Sequence, residues 1–387
     1  MFSSRSALVA VGSLLFASPL LAQDTGNFVI RLGTDTTAVE HYTRTPQRLE
    51  IDQVARSPRV LLRHYVFEYG ASGAVQRVAI TITNPSAPAG APPMQQVNAT
   101  FAADSVAVET RRDTSIQRSS LKVPAGTVAI SGATPWSVYE GRIMRLVSQK
   151  ADSLPSPLLY VGASSMNALS IRKLGKDSVV VQTQTEVYHV KIDRSGHVQN
   201  VVPLRGTQKF SVDRVATLDL KAAASAFLAR EQQGGAMGAY SPRDSVKAVA
   251  AGATLWIDYG RPSKRGRAVF GGIVPWGEVW RTGANAATQF RTDKPLQMGN
   301  QLVPAGFYTL WTIPSPTGWK LVINGETGQW GTEHKADRDL YTIDMTVNTL
   351  PQAVERFTIG IEPNPQGGVL NLDWDTTRAS LPFTVKP

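Results

Sequence analysis

Residues 259–285, YGRPSKRGRAVFGGIVPWGEVWRTGAN, separate two short β-like runs, 253–259 and 287–291, in the back part of the chain. Glycines at 260, 266, 271, 272, 277 and 283 and prolines at 262 and 275 break any helical or strand period within the stretch. A loop of this length in a compact domain is either functional or disordered. Disorder goes with low hydrophobicity, yet Phe270, Ile273, Val274, Trp276, Val279 and Trp280 all fall here. The stretch is therefore expected to be an ordered, shaped loop joining strands.

Outward from the loop, short runs rich in β-branched and aromatic residues recur at 246–250, 307–313, 319–324, 340–347, 357–362, 369–374 and 383–386. Turn signals at Asn324-Gly325 and Gly367-Gly368 separate several of them. Short strands at such spacing predict a β-sandwich, jelly-roll-like, over residues 242–387.

Upstream, residues 24–230 also read as strands and turns. Val78, Ile80 and Ile82 alternate with Arg77, Ala79 and Thr81, the period of a half-buried antiparallel strand. This predicts an N-terminal antiparallel β-sheet domain, so the chain as a whole is expected to be mainly β. Residues 84–93 form a Pro/Ala/Gly loop. Leu220, Ala223, Ala224, Phe227 and Leu228 have helical spacing, and Asp219 stands ready to cap them. Residues 231–241, rich in Gly and Gln, read as a linker between the two domains.

Composition bounds the function. The 387 residues are 42% apolar and 18% charged, with 32 Gly, 24 Pro and no Cys. A globular, turn-rich chain follows, without disulfides, thiolate metal sites or cysteine nucleophiles. Residues 1–22 pair Arg5 with a short apolar run ending in Leu20-Leu21-Ala22, the layout of a secretory signal peptide. No later run approaches a membrane span, so an exported protein, periplasmic or secreted, is expected. The net charge of +10 is interleaved with apolar residues and never forms a dense run. That pattern favours a solvated surface facing anionic envelope material over nucleic-acid binding.

The words Tyr259-Gly260-Arg261-Pro262, Gly271-Gly272-Ile273-Val274-Pro275, Val279-Trp280-Arg281-Thr282-Gly283-Ala284-Asn285, Pro304-Ala305-Gly306-Phe307-Tyr308-Thr309-Leu310 and Gln329-Trp330-Gly331, with the closing segment around Trp374, occur in order. In these words the C-terminal half resembles the bacterial family of unknown function DUF2911. The resemblance implies an exported or envelope protein and a fold unit, and it brings no activity.

Within the loop, Arg281 and Arg261 offer fork-shaped donors for a carboxylate, phosphate or sugar hydroxyl. Asn285 offers an amide, and Glu278 could pair with either Arg. Trp276, Trp280 and Trp330 could present faces to a sugar or an aromatic ring. A structural reading stands beside this one, in which Arg281 ties backbone carbonyls and the Trp residues fill core. Catalytic patterns are weak: Gly162-Ala163-Ser164-Ser165-Met166 is not a nucleophile elbow, and H-E-x-x-H is absent. Asp373 with Asp375, or Glu278 with Asp337 or Asp339, are the carboxylate pairs a hydrolase would need. The favoured expectation is non-catalytic binding of a small polar ligand or envelope glycan, without cofactor or metal. The alternatives are a hydrolase of envelope or extracellular carbohydrate, and a structural or partner-binding envelope protein.

Overall fold

The computed structural model describes residues 23–88, 90–132, 135–161, 166–184, 186–206 and 209–387. The signal-peptide reading of residues 1–22, and most of the 162–166 segment, lie outside the described residues. The fold is mainly β, with large antiparallel sheets.

The first sheet has fourteen strands among the described residues. Its N-terminal strand, Asp24–Leu32, joins two meanders by pairing with Asp35–Arg44 on one side and Phe210–Val215 on the other. Alternation fixes which face is buried. Phe28, Ile30 and Leu32 point to the core, as do Val78, Ile80 and Ile82 one meander further on. Against that face lies a helix, α1 (Trp136–Ser148), whose Trp136, Tyr139, Ile143 and Leu146 enter the same core cluster.

A second helix, α2 (Leu220–Arg230), covers the opposite face of the strands Asp35–Arg44 and Arg48–Ala55, packing on Val39 and Val54. Its cap is as the sequence predicts, with Asp219 Oδ1 accepting from Ala222 N at 2.9 Å. Residues after it are tied to the same sheet. Arg56 Nη2 donates to Gly235 O at 3.3 Å, Ser57 Oγ donates to Gly238 O at 3.0 Å, and Tyr240 stacks edge-on against Phe210. The segment expected to be a linker is thus clamped along the first sheet.

The second large sheet has nine strands among the described residues and spans Arg243 to Val385. Runs expected as separate strands prove continuous: Asp339–Asn364 and Gly367–Val385 each form one long strand. Their pairing shifts register between Thr349 and Val354 and again before Thr358. Bulges of this kind increase local twist and bend the ladder. The sheet folds over at these strands, so Leu255, Ile257, Phe290 and Leu321 from one half meet Phe357, Ile359, Leu370 and Leu372 from the other. An aromatic group of Phe270, Trp280, Trp319, Phe357 and Trp374 closes one end of this core.

Candidate functional site

The loop at 259–285 is ordered by its own hydrogen bonds. Gly271 N donates to Val274 O at 2.8 Å and Ile273 N to Ala268 O at 3.0 Å, forming a compact turn. Further on, Trp280 and Thr312 exchange both backbone bonds, at 2.7 and 2.8 Å. Buried Thr282 donates to the Trp280 carbonyl and receives support from Thr288, whose Oγ1 donates to Thr282 O at 2.7 Å.

The loop also reaches the first sheet. Thr34 N donates to Arg265 O at 3.0 Å, Arg265 Nη1 donates to Asp35 Oδ2 at 2.7 Å, and Lys209 Nζ donates to Gly272 O. Between these anchors a cleft of about 550 Å³ opens, its lining drawn from both sheets. Arg281, Asn285, Glu278 and Trp330 line it from the second sheet's side, Glu186 and Lys209 from the first, and Tyr160 from a small three-stranded sheet formed by Val128–Ile130, Leu158–Tyr160 and Met166–Asn167.

Arg281 is 8% exposed and makes one hydrogen bond to the described residues, from Nη1 to Asn285 O at 3.2 Å. Its stem lies against Gly331, where a Cβ would come within 2.2 Å of Arg281 Cδ. Only glycine permits that close approach. Asn285 is exposed, adopts left-handed φ of 64°, and its carboxamide makes no hydrogen bond to the described residues. Trp330 is 46% exposed and presents its ring to the cleft. Glu278 is exposed at the rim, and neither Arg281 nor Arg261 forms an ion pair with it among the described residues.

Three sequence candidates sit elsewhere. Arg261 does not line the cleft, because its donors are held by Phe357 O at 3.0 Å, Asp244 Oδ2 at 2.8 Å and Thr358 Oγ1 at 2.7 Å. Its role is to tie the first strand of the sheet to the folded-over half. Trp280 is 8% exposed, with Nε1 donating to Gly283 O at 3.0 Å, and its ring belongs to the aromatic end of the core. It also contributes to the cleft lining. Trp276 is 42% exposed but packs beside Phe270, away from the cleft.

Of the carboxylates considered for acid–base work, Asp337 is exposed on the turn Ala336–Arg338 and does not line the cleft, while the other three aspartates are occupied. Arg378 holds Asp373 through two bonds of 2.8 and 2.6 Å, and Lys264 pairs with Asp375. Asp339 Oδ1 contacts Asn324 Nδ2 at 2.8 Å and His334 Nε2 at 2.9 Å.

Electrostatics across the cleft centre on Glu186, a buried carboxylate invisible as a site residue in the sequence. Burial pushes the Arg281 guanidinium and the Lys209 ammonium below their ordinary values, and the Glu186 charge opposes the fall in both. Burial also brings Arg267 down to about 10, with the Arg265 charge adding to the effect. At that value Arg267 remains protonated near neutral pH. The cleft thus sets the Arg281 and Lys209 donors around one buried carboxylate, with an exposed indole and a carboxamide at its edge.

The loop, the Trp330 segment and the strands beneath them form a single sequence unit. Residues 241–383 match the family described as "Protein of unknown function (DUF2911)". The DUF2911 match contains Arg281, Asn285, Glu278 and Trp330, whereas Tyr160, Glu186 and Lys209 precede it. The cleft therefore joins the family unit to the sheet before it. A search of curated proteins returned no match to the chain. Among solved structures, a β-barrel-like protein of the domain of unknown function DUF1849 from Brucella abortus is similar at 10% identity and TM-score 0.34. The alignment covers 50% of this chain and 94% of that one. A DUF1089-family protein from Pseudomonas aeruginosa is similar at 9% identity and TM-score 0.30, over 43% of this chain and 89% of that one.

Proposed function

We propose that this protein is an exported binding protein that takes a small polar ligand, with saccharides bearing an acidic group as the best-fitting class, in the cleft beside the 259–285 loop. The single observation that carries the reading is Arg281. It is a nearly buried guanidinium that makes one hydrogen bond to the described residues while lining a cleft of about 550 Å³. Fixed, desolvated donors of this kind bind carboxylates and hydroxyls more strongly than exposed ones. Trp330 supplies an apolar face against which the C–H side of a sugar ring can stack, and Asn285 supplies an unengaged amide. The volume lies within the range of small-ligand sites, roughly 300–1,000 Å³.

Binding is favoured over hydrolysis because Asp339, Asp373 and Asp375 are each held in intramolecular bonds, and exposed Asp337 does not line the cleft with Glu278. Export rests on the sequence of residues 1–22. It is compatible with the finding that no helix among the described residues is long and apolar enough to cross a membrane. In this reading, residues 24–230 and 242–387 act together as two domains, since the ligand touches both.

The test is a thermal-shift screen of the unmodified chain with neutral and acidic mono- and disaccharides, including D-glucose, N-acetylglucosamine and D-glucuronate. Ligand that binds only the folded form raises the melting temperature. A rise with an acidic sugar that disappears in Arg281→Ala is the expected result. No rise with any sugar, or an equal rise in the variant, refutes the reading.

A further inference from the structure

A second cavity, of about 530 Å³, lies beside the first sheet, between its strands, α1 and the small three-stranded sheet, and shares Tyr160, Glu186 and Trp330 with the cleft. Its walls mix polar and apolar side chains and carry the rings of Trp136, Tyr139, Tyr188 and Tyr240. Into it faces a buried cation, Arg63, which is 7% exposed.

Among the described residues Arg63 has one hydrogen-bond partner and no carboxylate. Its Nη1 donates to Gln53 Oε1 at 3.3 Å, while its Nε is buried and has no hydrogen-bond partner among the described residues. It forms no ion pair among the described residues. The route to Glu40 runs through Gln53, whose Nε2 donates to Glu40 Oε2 at 3.3 Å. The Glu40 oxygens are engaged in turn by the backbone N–H groups of Trp136 and Ser137. Glu186, the other buried charge on the lining, is already offset by Lys209, Arg267 and Arg281. Gly132 lies over the guanidinium, where a Cβ would stand 3.2 Å from Nη2, so the space beside the charge is kept bare.

Leaving a buried charge unpaired is strongly unfavourable, and an anion placed against it removes that cost. We propose that this inner chamber binds a small organic anion, with its carboxylate or sulfonate on Arg63 and an aromatic or alicyclic body against the surrounding rings. The site is separate from the cleft reading and holds whether or not the cleft takes a saccharide.

The experiment titrates the full chain with two fluorescent probes of nearly equal shape, 8-anilinonaphthalene-1-sulfonate and uncharged N-phenyl-1-naphthylamine. The sulfonate is expected to bind the unmodified chain at least tenfold more tightly than the neutral probe. Arg63→Met should abolish that preference and leave neutral-probe affinity within about twofold, Arg63→Lys should restore part of it, and Arg281→Ala should change neither. Benzoate should displace the bound sulfonate where benzamide does not, a comparison that needs only the unmodified chain if Arg63→Met fails to fold. Equal affinity for the two probes, retention of the preference in folded Arg63→Met, or its loss in Arg281→Ala instead would overturn the proposal.

Discussion

Glu40 Oε1 accepts a hydrogen bond from the backbone N–H of Ser137 at 2.8 Å, so a strand residue caps α1 from 97 positions away in sequence. Glu40 Oε2 takes the Trp136 N–H at 3.1 Å, and α1 has no side-chain cap of its own. Two of the N–H groups left unsatisfied at a helix start are thereby met by a buried carboxylate, which the positive end of the helix dipole also favours.

That arrangement predicts a pH dependence. Burial raises the Glu40 carboxyl from 4.5 to about 7, outweighing its hydrogen bonds from Ser137, Trp136 and Gln53. The folded protein holds this proton more tightly than the unfolded chain does. Its contribution to stability is fully present below about pH 4.5 and is lost as pH rises to about 7. The change is about 3 kcal/mol. Denaturant unfolding of the wild type and Glu40→Gln across pH 4–8 should show the difference between them shifting by that amount in the variant's favour. A constant difference across the range would show that folding leaves the Glu40 carboxyl at its ordinary value.

Glu140, on the second turn of α1, is fully buried and pairs with both Arg44 and Arg214 while accepting from Val198 N at 2.8 Å. Removing one partner of a buried ionic group leaves uncompensated charge. Glu140→Ala should therefore destabilise the protein by about 3–5 kcal/mol, measured by chemical denaturation. A loss under about 1 kcal/mol, the scale of exposed pairs, would mean that the group is solvated.

The tryptophans divide by burial. Trp374 is buried in the aromatic end of the second core, and Trp374→Ala should cost about 3–5 kcal/mol. Trp330→Ala should stay within about 0.5 kcal/mol of the wild type, as for an exposed residue, while weakening saccharide binding. Melting curves of the two variants, read with the sugar screen, check both statements.

Gly331 supports the cleft by leaving room for the Arg281 stem. In Gly331→Ala the new methyl would meet the Arg281 stem and the Asn285 carbonyl, at 2.2 and 2.4 Å. The guanidinium must shift, so affinity should fall at least fivefold, a difference of about 1 kcal/mol. Wild-type affinity in this variant would show that the position of Arg281 does not govern binding.

Much of the architecture is legible in the sequence wherever the signal is local. Val78, Ile80 and Ile82 announce their buried face by alternation, and Asp219 announces α2 by capping chemistry. The helix α1 goes unmarked at its start because its cap is Glu40, although Trp136, Tyr139, Ile143 and Leu146 carry a helical period. The continuous strand Asp339–Asn364 is hidden for a related reason: its exposed middle is held by a bulged pairing with Gly367–Val385, which leaves no run of apolar residues. At the candidate site, the loop's order and the exposure of Asn285 and Trp330 could be read from glycine spacing and turn context. The engagement of Arg261 could not, since Phe357 and Thr358 lie about a hundred positions away. Glu186 and Lys209 reach the cleft only through the packing of one sheet on the other, and no short-range pattern encodes that.

The most direct test of the central claim is a calorimetric titration of the full chain with D-glucuronate, repeated with Arg281→Ala. The account predicts saturable binding to the unmodified chain and at least a tenfold loss of affinity in a variant that remains folded. Equal affinity in the two proteins, or heats of dilution alone in both, would contradict it.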